Sequence, residues 1–279
     1  MILITGATGF LGTQILKNCI NTNQKCRVAI RKNKSKMIRN ISSSIEIVET
    51  VDFFNETEEW YSSLCENIEI IIHCAWYAEP GKYINSNYNL DCLTGSINFF
   101  SSAANKGVNK IVGIGTCFEY DLEKGALSID TPLNPTTLYA SSKVSLYYAL
   151  RGLSKKNNID FNWCRVFYLF GEGEDDRRLV PYLHKNLSIG NDVELTSGIQ
   201  IRDFLDVKKA SKIIVEVAIQ KKYSGPFNVC SGIPISIKQL AENIADIYDR
   251  RDLLKFGVRP DNVVDPKVVV GIINNNILN

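Results

Sequence analysis

Two hydrophobic periods alternate along this chain. Short runs rich in apolar residues, at 2–4, 26–30, 45–51, 68–74 and 110–115, read as buried strands. Between them apolar residues recur at helical spacing, and helices are expected from Phe10 to about Ile20 and over 56–65, 90–106 and 138–157. Strands separated by helices pair in parallel, so the pattern predicts a doubly wound α/β sheet. Right-handed crossovers then put any ligand at the carboxyl ends of the strands.

The opening stretch, MILITGATGFLG, gives that sheet a ligand. The first strand stops at Thr5-Gly6, and glycines follow at 9 and 12 before the helix begins. Gly6 permits a tight turn, Gly9 keeps side chains away from an approaching pyrophosphate, and Gly12 lets the helix lie close on the sheet. The unpaired N–H groups and positive dipole at the helix start, around Phe10 and Leu11, then face the phosphates. A glycine-rich turn with no ligand is the bland alternative; a strand before and a helix after favour a dinucleotide.

The end of the second strand bears on which dinucleotide. An acid there would bind the ribose 2′-hydroxyl of NAD, whereas an arginine accommodates the 2′-phosphate of NADP. This chain has Arg31, Lys32 and Lys34 and no acid, which favours NADP and leaves NAD as the alternative. Lys36 and Arg39 continue the basic run, so a solvated basic turn is the competing reading. Asp52, after the third strand, is suited to an adenine amino group.

Composition narrows the class further. At 279 residues, 45% hydrophobic and 22% charged with a net charge of +2, nothing points to nucleic acid. No apolar run approaches the roughly eighteen residues of a membrane span. No leader is expected either, since the first strand starts at residue 2. Eight cysteines without a C-x-x-C pair read as buried hydrophobes in a reducing compartment, with the cytoplasm as default. Two distant histidines are too few for a metal site, and His73 reads as structural.

Candidate chemistry lies after the fifth strand. Thr116 stands just beyond that strand end, and Tyr139-Ala-Ser-Ser-Lys143 opens the long helix, with a spacing of four placing Tyr139 and Lys143 on one face. A free tyrosine titrates near pH ~10 and is a poor acid–base group at neutrality. A lysine one turn away is expected to lower that value, and Thr116 to orient the same reacting oxygen. An ordinary amphipathic helix is the alternative for Y-x-x-x-K alone.

Taken together, Gly6, Gly9, Gly12, Thr116, Tyr139 and Lys143 resemble the extended short-chain dehydrogenase/reductase family, in its sugar-nucleotide epimerase/dehydratase branch. The later segments RVFYLFGEG (165–173), Arg202-Asp203-Phe204 with Val207, FNVCSG (227–232) and Arg259-Pro260 support this more loosely. The resemblance implies a Rossmann-type sheet with a smaller C-terminal substrate lobe: residues 1–170 and 201–229 in the first, 171–200 and 230–279 in the second. It implies Tyr139 as acid–base, Lys143 on the nicotinamide ribose, and Thr116 on the reacting oxygen.

Departures from the family pattern select among its reactions. Dehydratases of this branch carry an Asp-Glu pair directly after the threonine; here Cys117 and Phe118 stand there, and Glu119 is displaced by one residue. That argues against dehydration and leaves reduction or epimerisation. Arg31 tilts the choice to an NADPH-dependent ketoreductase acting on a nucleotide-linked 4-keto-6-deoxyhexose. A nucleotide-sugar epimerase holding NAD is the alternative, and an NADP-binding sensor or assembly factor is the non-enzyme alternative. The family asparagine that contacts the substrate diphosphate is replaced by Tyr168, leaving Arg202 and Arg259 as phosphate clamps, with surface salt bridges as the competing reading. The family's pairing of helices 90–106 and 138–157 implies a homodimer, with Leu146, Tyr147, Leu150 and Leu153 serving that contact or the subunit core. The run 272–277 ends earlier than the terminal helix expected of the family.

Overall fold

In the computed structural model residues 1–220, 223–262 and 265–274 are described. The first half alternates as expected: β1 (Ile2–Thr5), α1 (Phe10–Asn21), β2 (Cys26–Arg31), α2 (Ser35–Arg39), β3 (Glu46–Thr50), α3 (Glu58–Leu64), β4 (Ile70–His73), α4 (Tyr88–Asn105) and β5 (Lys110–Thr116). After β6 (Ala126–Leu127) come α5 (Leu138–Asn157), β7 (Asp160–Val166), β8 (Tyr168–Phe170), α6 (Leu179–Ser188) and β9 (Val193–Glu194). The chain continues through β10 (Ile201–Asp206), α7 (Val207–Ile219), β11 (Gly225–Val229), β12 (Pro234–Ser236), α8 (Ile237–Asp246), β13 (Leu254–Lys255) and β14 (Val268–Gly271).

Seven strands form one parallel sheet in the order β11-β7-β5-β4-β1-β2-β3. Its strands are apolar on both faces because helices cover both. Ile15, Leu16 and Cys19 of α1 pack with Ile214 and Val215 of α7 on one side. Tyr61 of α3, Phe99 and Phe100 of α4 and Leu146 of α5 pack on the other. Strand order reverses between β1 and β4, and the crevice outside their carboxyl ends is where a doubly wound sheet binds its ligand.

A second sheet, β12-β10-β14-β6 with β8 beside β10, is accompanied by a two-stranded sheet, β13-β9, and α6 and α8 pack with β9 in a separate core. One sequence expectation is corrected here: residues 201–229 do not all return to the main sheet. β10 pairs with β8, β12 and β14, and the return begins with α7 packing beside α1 and ends in β11. The alternation of apolar residues in β10 is compatible with either sheet, and only partners distant in sequence select one. The tail residues 275–279 lie outside the described residues.

Asp203 locks the second sheet to the chain leaving β11. Fully buried, its carboxylate accepts from Ser231 N–H (2.7 Å), Ser231 Oγ (2.6 Å), Gly232 N–H (2.9 Å) and Gly271 N–H (3.1 Å). An amide in its place would turn an NH2 toward these donors. Asp203→Asn is therefore expected to cost about 2–4 kcal/mol of stability, measured as a lower urea midpoint; an unchanged midpoint would mean the donors are satisfied otherwise.

Candidate active site

The reversal between β1 and β4 opens into a cleft of ≈ 1620 Å³, lined at one end by the β1 turn and at the other by residues of the second sheet. At its first end Gly6 has φ +69°, and a Cβ there would meet the Ala75 amide nitrogen at 2.7 Å. Gly9 N–H closes the turn onto the Gly6 carbonyl at 3.0 Å. Gly9 caps α1 without a side chain, so the N–H groups of Phe10, Leu11 and Gly12 have no acceptor among the described residues. Unsatisfied donors, a positive helix end and an open cradle fit a dinucleotide diphosphate.

Gly6, Gly9, Phe10, Arg31 and Asp52 line this part of the cleft. Asp52 also caps the following turn, accepting from Phe54 N–H (3.1 Å) and Asn55 Nδ2 (2.6 Å). Three expected residues stand back from the lining. Leu11 packs against the core, Gly12 sits under the turn, and exposed Lys32 instead donates its backbone N–H to the Thr50 carbonyl at 2.9 Å. Arg31 is thus the cation that the end of β2 presents to the cleft.

Thr116 ends β5, and Tyr139 enters from the first turn of α5, whose start is set by Thr137 Oγ1 accepting from Ala140 N–H at 3.2 Å. Both line the cleft. Lys143 is buried one turn below, where its ammonium donates to the Ile114 carbonyl (2.9 Å) and lies 3.8 Å from the centre of the Trp76 ring. It is 6.0 Å from the Tyr139 ring centre. Burial holds Lys143 down at about 8.

Tyr139 reverses the sequence expectation. Desolvation pushes its phenol above the ordinary value, Tyr83 and Glu119 push the same way, and a hydrogen bond with the Thr116 side chain opposes them. Desolvation is the largest of these influences, and it raises the phenol above its ordinary value. The expected spacing is present; the expected sign is not, because a periodic pattern carries no information about desolvation.

Sequence reading missed the aromatic residues around this pair. Trp76 is held by Nε1–H donation to Asn89 Oδ1 at 2.8 Å, and Tyr83 meets Tyr139 edge-on at 4.9 Å between ring centres. Trp76 had one usable signal, its position just past β4; Tyr83, inside a loop, had none. Cys117 and Phe118 line the cleft, whereas Glu119 is buried behind it. His73 is structural: buried between Thr5 Oγ1 (2.8 Å) and Ser96 Oγ (3.0 Å), it is pushed down to about 3 by desolvation.

Arg202 of β10 and Arg259, in the chain that follows β13, lie at the far end of the cleft. Arg202 is buried and already paired, with Nη2 2.6 Å from Asp265 Oδ2 and its guanidinium 5.5 Å from the Tyr168 ring centre. Exposed Arg259 donates to Tyr182 Oη at 3.1 Å and lies 3.9 Å from Glu194 Oε2, a looser ion pair than that of Arg202. Arg259 is therefore the more available anion partner.

A parallel doubly wound sheet with a glycine cradle at its switch point, and Thr116 and Tyr139 lining the cleft beside it, is the architecture of a dinucleotide-binding fold. The chain matches the NAD dependent epimerase/dehydratase family over residues 2–230 and belongs to it. It is 29% identical over 275 residues, 97% of this chain and 98% of the relative, to dTDP-6-deoxy-L-talose 4-dehydrogenase (NAD(+)) of Aggregatibacter actinomycetemcomitans. With UDP-glucose 4-epimerase of Corynebacterium glutamicum it shares 23% over 291 residues, 96% of this chain and 86% of that one. In fold it is similar to UDP-N-acetylglucosamine 4-epimerase of Methanobrevibacter ruminantium M1, solved in complex with UDP-N-acetylmuramic acid: TM-score 0.85, 22% identity, 99% and 91% of the two chains.

Proposed function

We propose that this protein is an NAD(P)H-dependent 4-ketoreductase of a nucleotide-linked 4-keto-6-deoxyhexose. The observation that carries the reading is Tyr139 beside Thr116 in the cleft, with Cys117 and Phe118 where dehydration needs an acid pair. The likeness to a 6-deoxyhexose 4-dehydrogenase, whose named reaction is the reverse, supports it. Hydride transfer is the chemistry a bound nicotinamide supplies. Thr116 orients the sugar carbonyl oxygen, and Tyr139 donates its proton to that oxygen as negative charge develops there. Lys143, freed from the Ile114 carbonyl, binds the ribose and supports the phenolate left behind. Arg259, with Arg202 behind it, faces the substrate diphosphate.

Arg31, at the cofactor end, favours the 2′-phosphate of NADPH, while the relative's name specifies NAD(+). The deciding experiment is NADPH and NADH consumption against UDP-, dTDP-, GDP- and CDP-linked 4-keto-6-deoxyhexoses. Stoichiometric oxidation with one sugar is the expected result, with kcat/KM favouring NADPH and Arg31→Ala removing roughly 10-fold or more of that preference. Preference for NADH would retain the reduction and give Arg31 to the adenosine. No consumption, with NAD retained through purification, would indicate the epimerase; an inactive, cofactor-free protein would indicate the binding module.

Two further readings accompany this function. Exposed Tyr88, Leu90 and Ile97 of α4 and Tyr148 of α5 are available to a homodimer, whereas Leu146, Tyr147 and Leu150 are used in the subunit core. Eight free cysteines, seven of them buried, support a reducing compartment, the cytoplasm. Among the described residues no helix is long and apolar enough to cross a membrane.

A further inference from the structure

The carboxylate that sequence reading set aside, Glu119, has an unexpected environment. It is fully buried, shut off from the cleft, and met by three donors. Oε1 accepts from the Thr116 backbone N–H at 2.8 Å; Trp163 Nε1–H reaches both oxygens at 3.0 Å; Arg165 Nε donates to Oε2 at 2.7 Å. In return the Thr116 hydroxyl accepts from Phe118 N–H at 3.3 Å, so the turn after β5 is braced from both sides.

The space for this arrangement is written into β5. Gly113 and Gly115 lie two apart and so share a face of the strand. A Cβ on Gly113 would be 2.4 Å from Trp163, and one on Gly115 would be 2.3 Å from Trp163 Nε1 and 2.4 Å from Glu119 Oε1. Two missing side chains thus form the slot that the indole and the carboxylate fill. The network runs on from Arg165 Nη1 to Tyr120 Oη (3.2 Å) and from Tyr120 to Asn228 Oδ1 on β11 (2.7 Å), which ties the turn to the main sheet.

Stability is a poor explanation for such a pair. Desolvating two charges costs several kcal/mol, and well-packed apolar residues of equal volume often do as well or better. What the ion pair adds is direction: a fixed anion converging on one backbone N–H, that of the residue holding the reacting hydroxyl.

We propose that Glu119 is a positioning residue for Thr116: its carboxylate, held by Trp163 and Arg165, fixes the Thr116 backbone at the end of β5 and so aims the hydroxyl toward Tyr139 and the substrate oxygen. Glu119 itself touches neither substrate nor cofactor. The proposal rests on Thr116 and Tyr139 being the reacting pair.

Glu119→Gln is the first test, because an amide can accept from Thr116 or from the Trp163 and Arg165 donors but cannot serve all three. The expected result is a kcat lowered roughly 10- to 100-fold per bound cofactor, with KM for the sugar nucleotide and cofactor affinity unchanged. A lower melting temperature with unaltered kcat per bound cofactor would mean a structural role alone and overturn the proposal. If that variant does not fold, Trp163→Phe removes one donor and leaves the Arg165 pair; a smaller loss confined to kcat is expected, and an unchanged kcat overturns the proposal. If the wild type turns over none of the sugars, the ketoreductase reading fails, and positioning is decided without catalysis. The Thr116 amide resonance, seen with isotope-labelled threonine and assigned by Thr116→Ser, should move upfield and exchange faster in Glu119→Gln. An unmoved resonance overturns the proposal.

Discussion

Tyr139→Phe is expected to lower kcat by roughly 10²- to 10⁴-fold, the usual worth of a positioned proton donor, while cofactor affinity and melting temperature stay near wild type. The substitution removes only the hydroxyl. The ring keeps its edge-on contact with Tyr83 at 4.9 Å and with Trp76 at 6.5 Å, so the cleft wall is preserved. Steady-state kinetics and titration of NADPH fluorescence separate the two quantities. Turnover at the wild-type rate would require another proton source, and among the cleft-lining residues nearby Cys117 and Tyr83 are both pushed up by burial. The direction of the Tyr139 shift also sets the pH dependence. A phenol raised above its ordinary value keeps its proton through neutrality, so reduction should show no loss from Tyr139 ionisation as pH rises from neutral toward mildly alkaline values. Any decline near pH ~8 would belong to Lys143, which burial holds at about that value.

Gly12→Ala is expected to abolish dinucleotide binding, weakening it by roughly 100-fold or more, and to destabilise the fold as well. Two effects of opposite sign compete. Alanine in a helix is favoured over glycine by about 1 kcal/mol, which alone would stabilise α1. A Cβ at this position, however, would lie 2.2 Å from the Gly6 carbonyl oxygen and 2.9 Å from its carbon. That is backbone against backbone, with no flexible end to yield, and overpacking of this kind costs about 1–3 kcal/mol or more. The helix must move off the turn, taking its unsatisfied N–H groups out of line with the diphosphate. Cofactor titration and a thermal melt on the same sample test both parts. Unchanged affinity would mean that α1 can shift without disturbing the cradle, and that its N-terminus is not what holds the phosphates.

The correction at Tyr139 and the neglect of Glu119 have one cause. Spacing of four residues puts Tyr139 and Lys143 on one helix face whatever surrounds them. The resulting pKa values depend on what covers that face, and Trp76 and Tyr83 come from the connection between β4 and α4 and the Ile114 carbonyl from β5. Glu119 was legible as a carboxylate out of register with the dehydratase pair, and it does lie behind the cleft. Its use depends on Trp163 and Arg165, more than forty residues away along the chain.

Sequence alone determined the features that short-range geometry controls. The strand, turn and helix of residues 1–12, the apolar runs of β1 to β5 and the four-residue step from Tyr139 to Lys143 follow from local periods of about 2 and 3.6 and from glycine's conformational freedom. Only tertiary structure decided that β10 joins the second sheet, that Arg202 is spent on Asp265 while Arg259 remains exposed, and that Lys143 lies under Trp76. Each depends on which distant groups share a low-dielectric space, and neither hydrogen-bond partners nor desolvation is encoded in the period of a pattern.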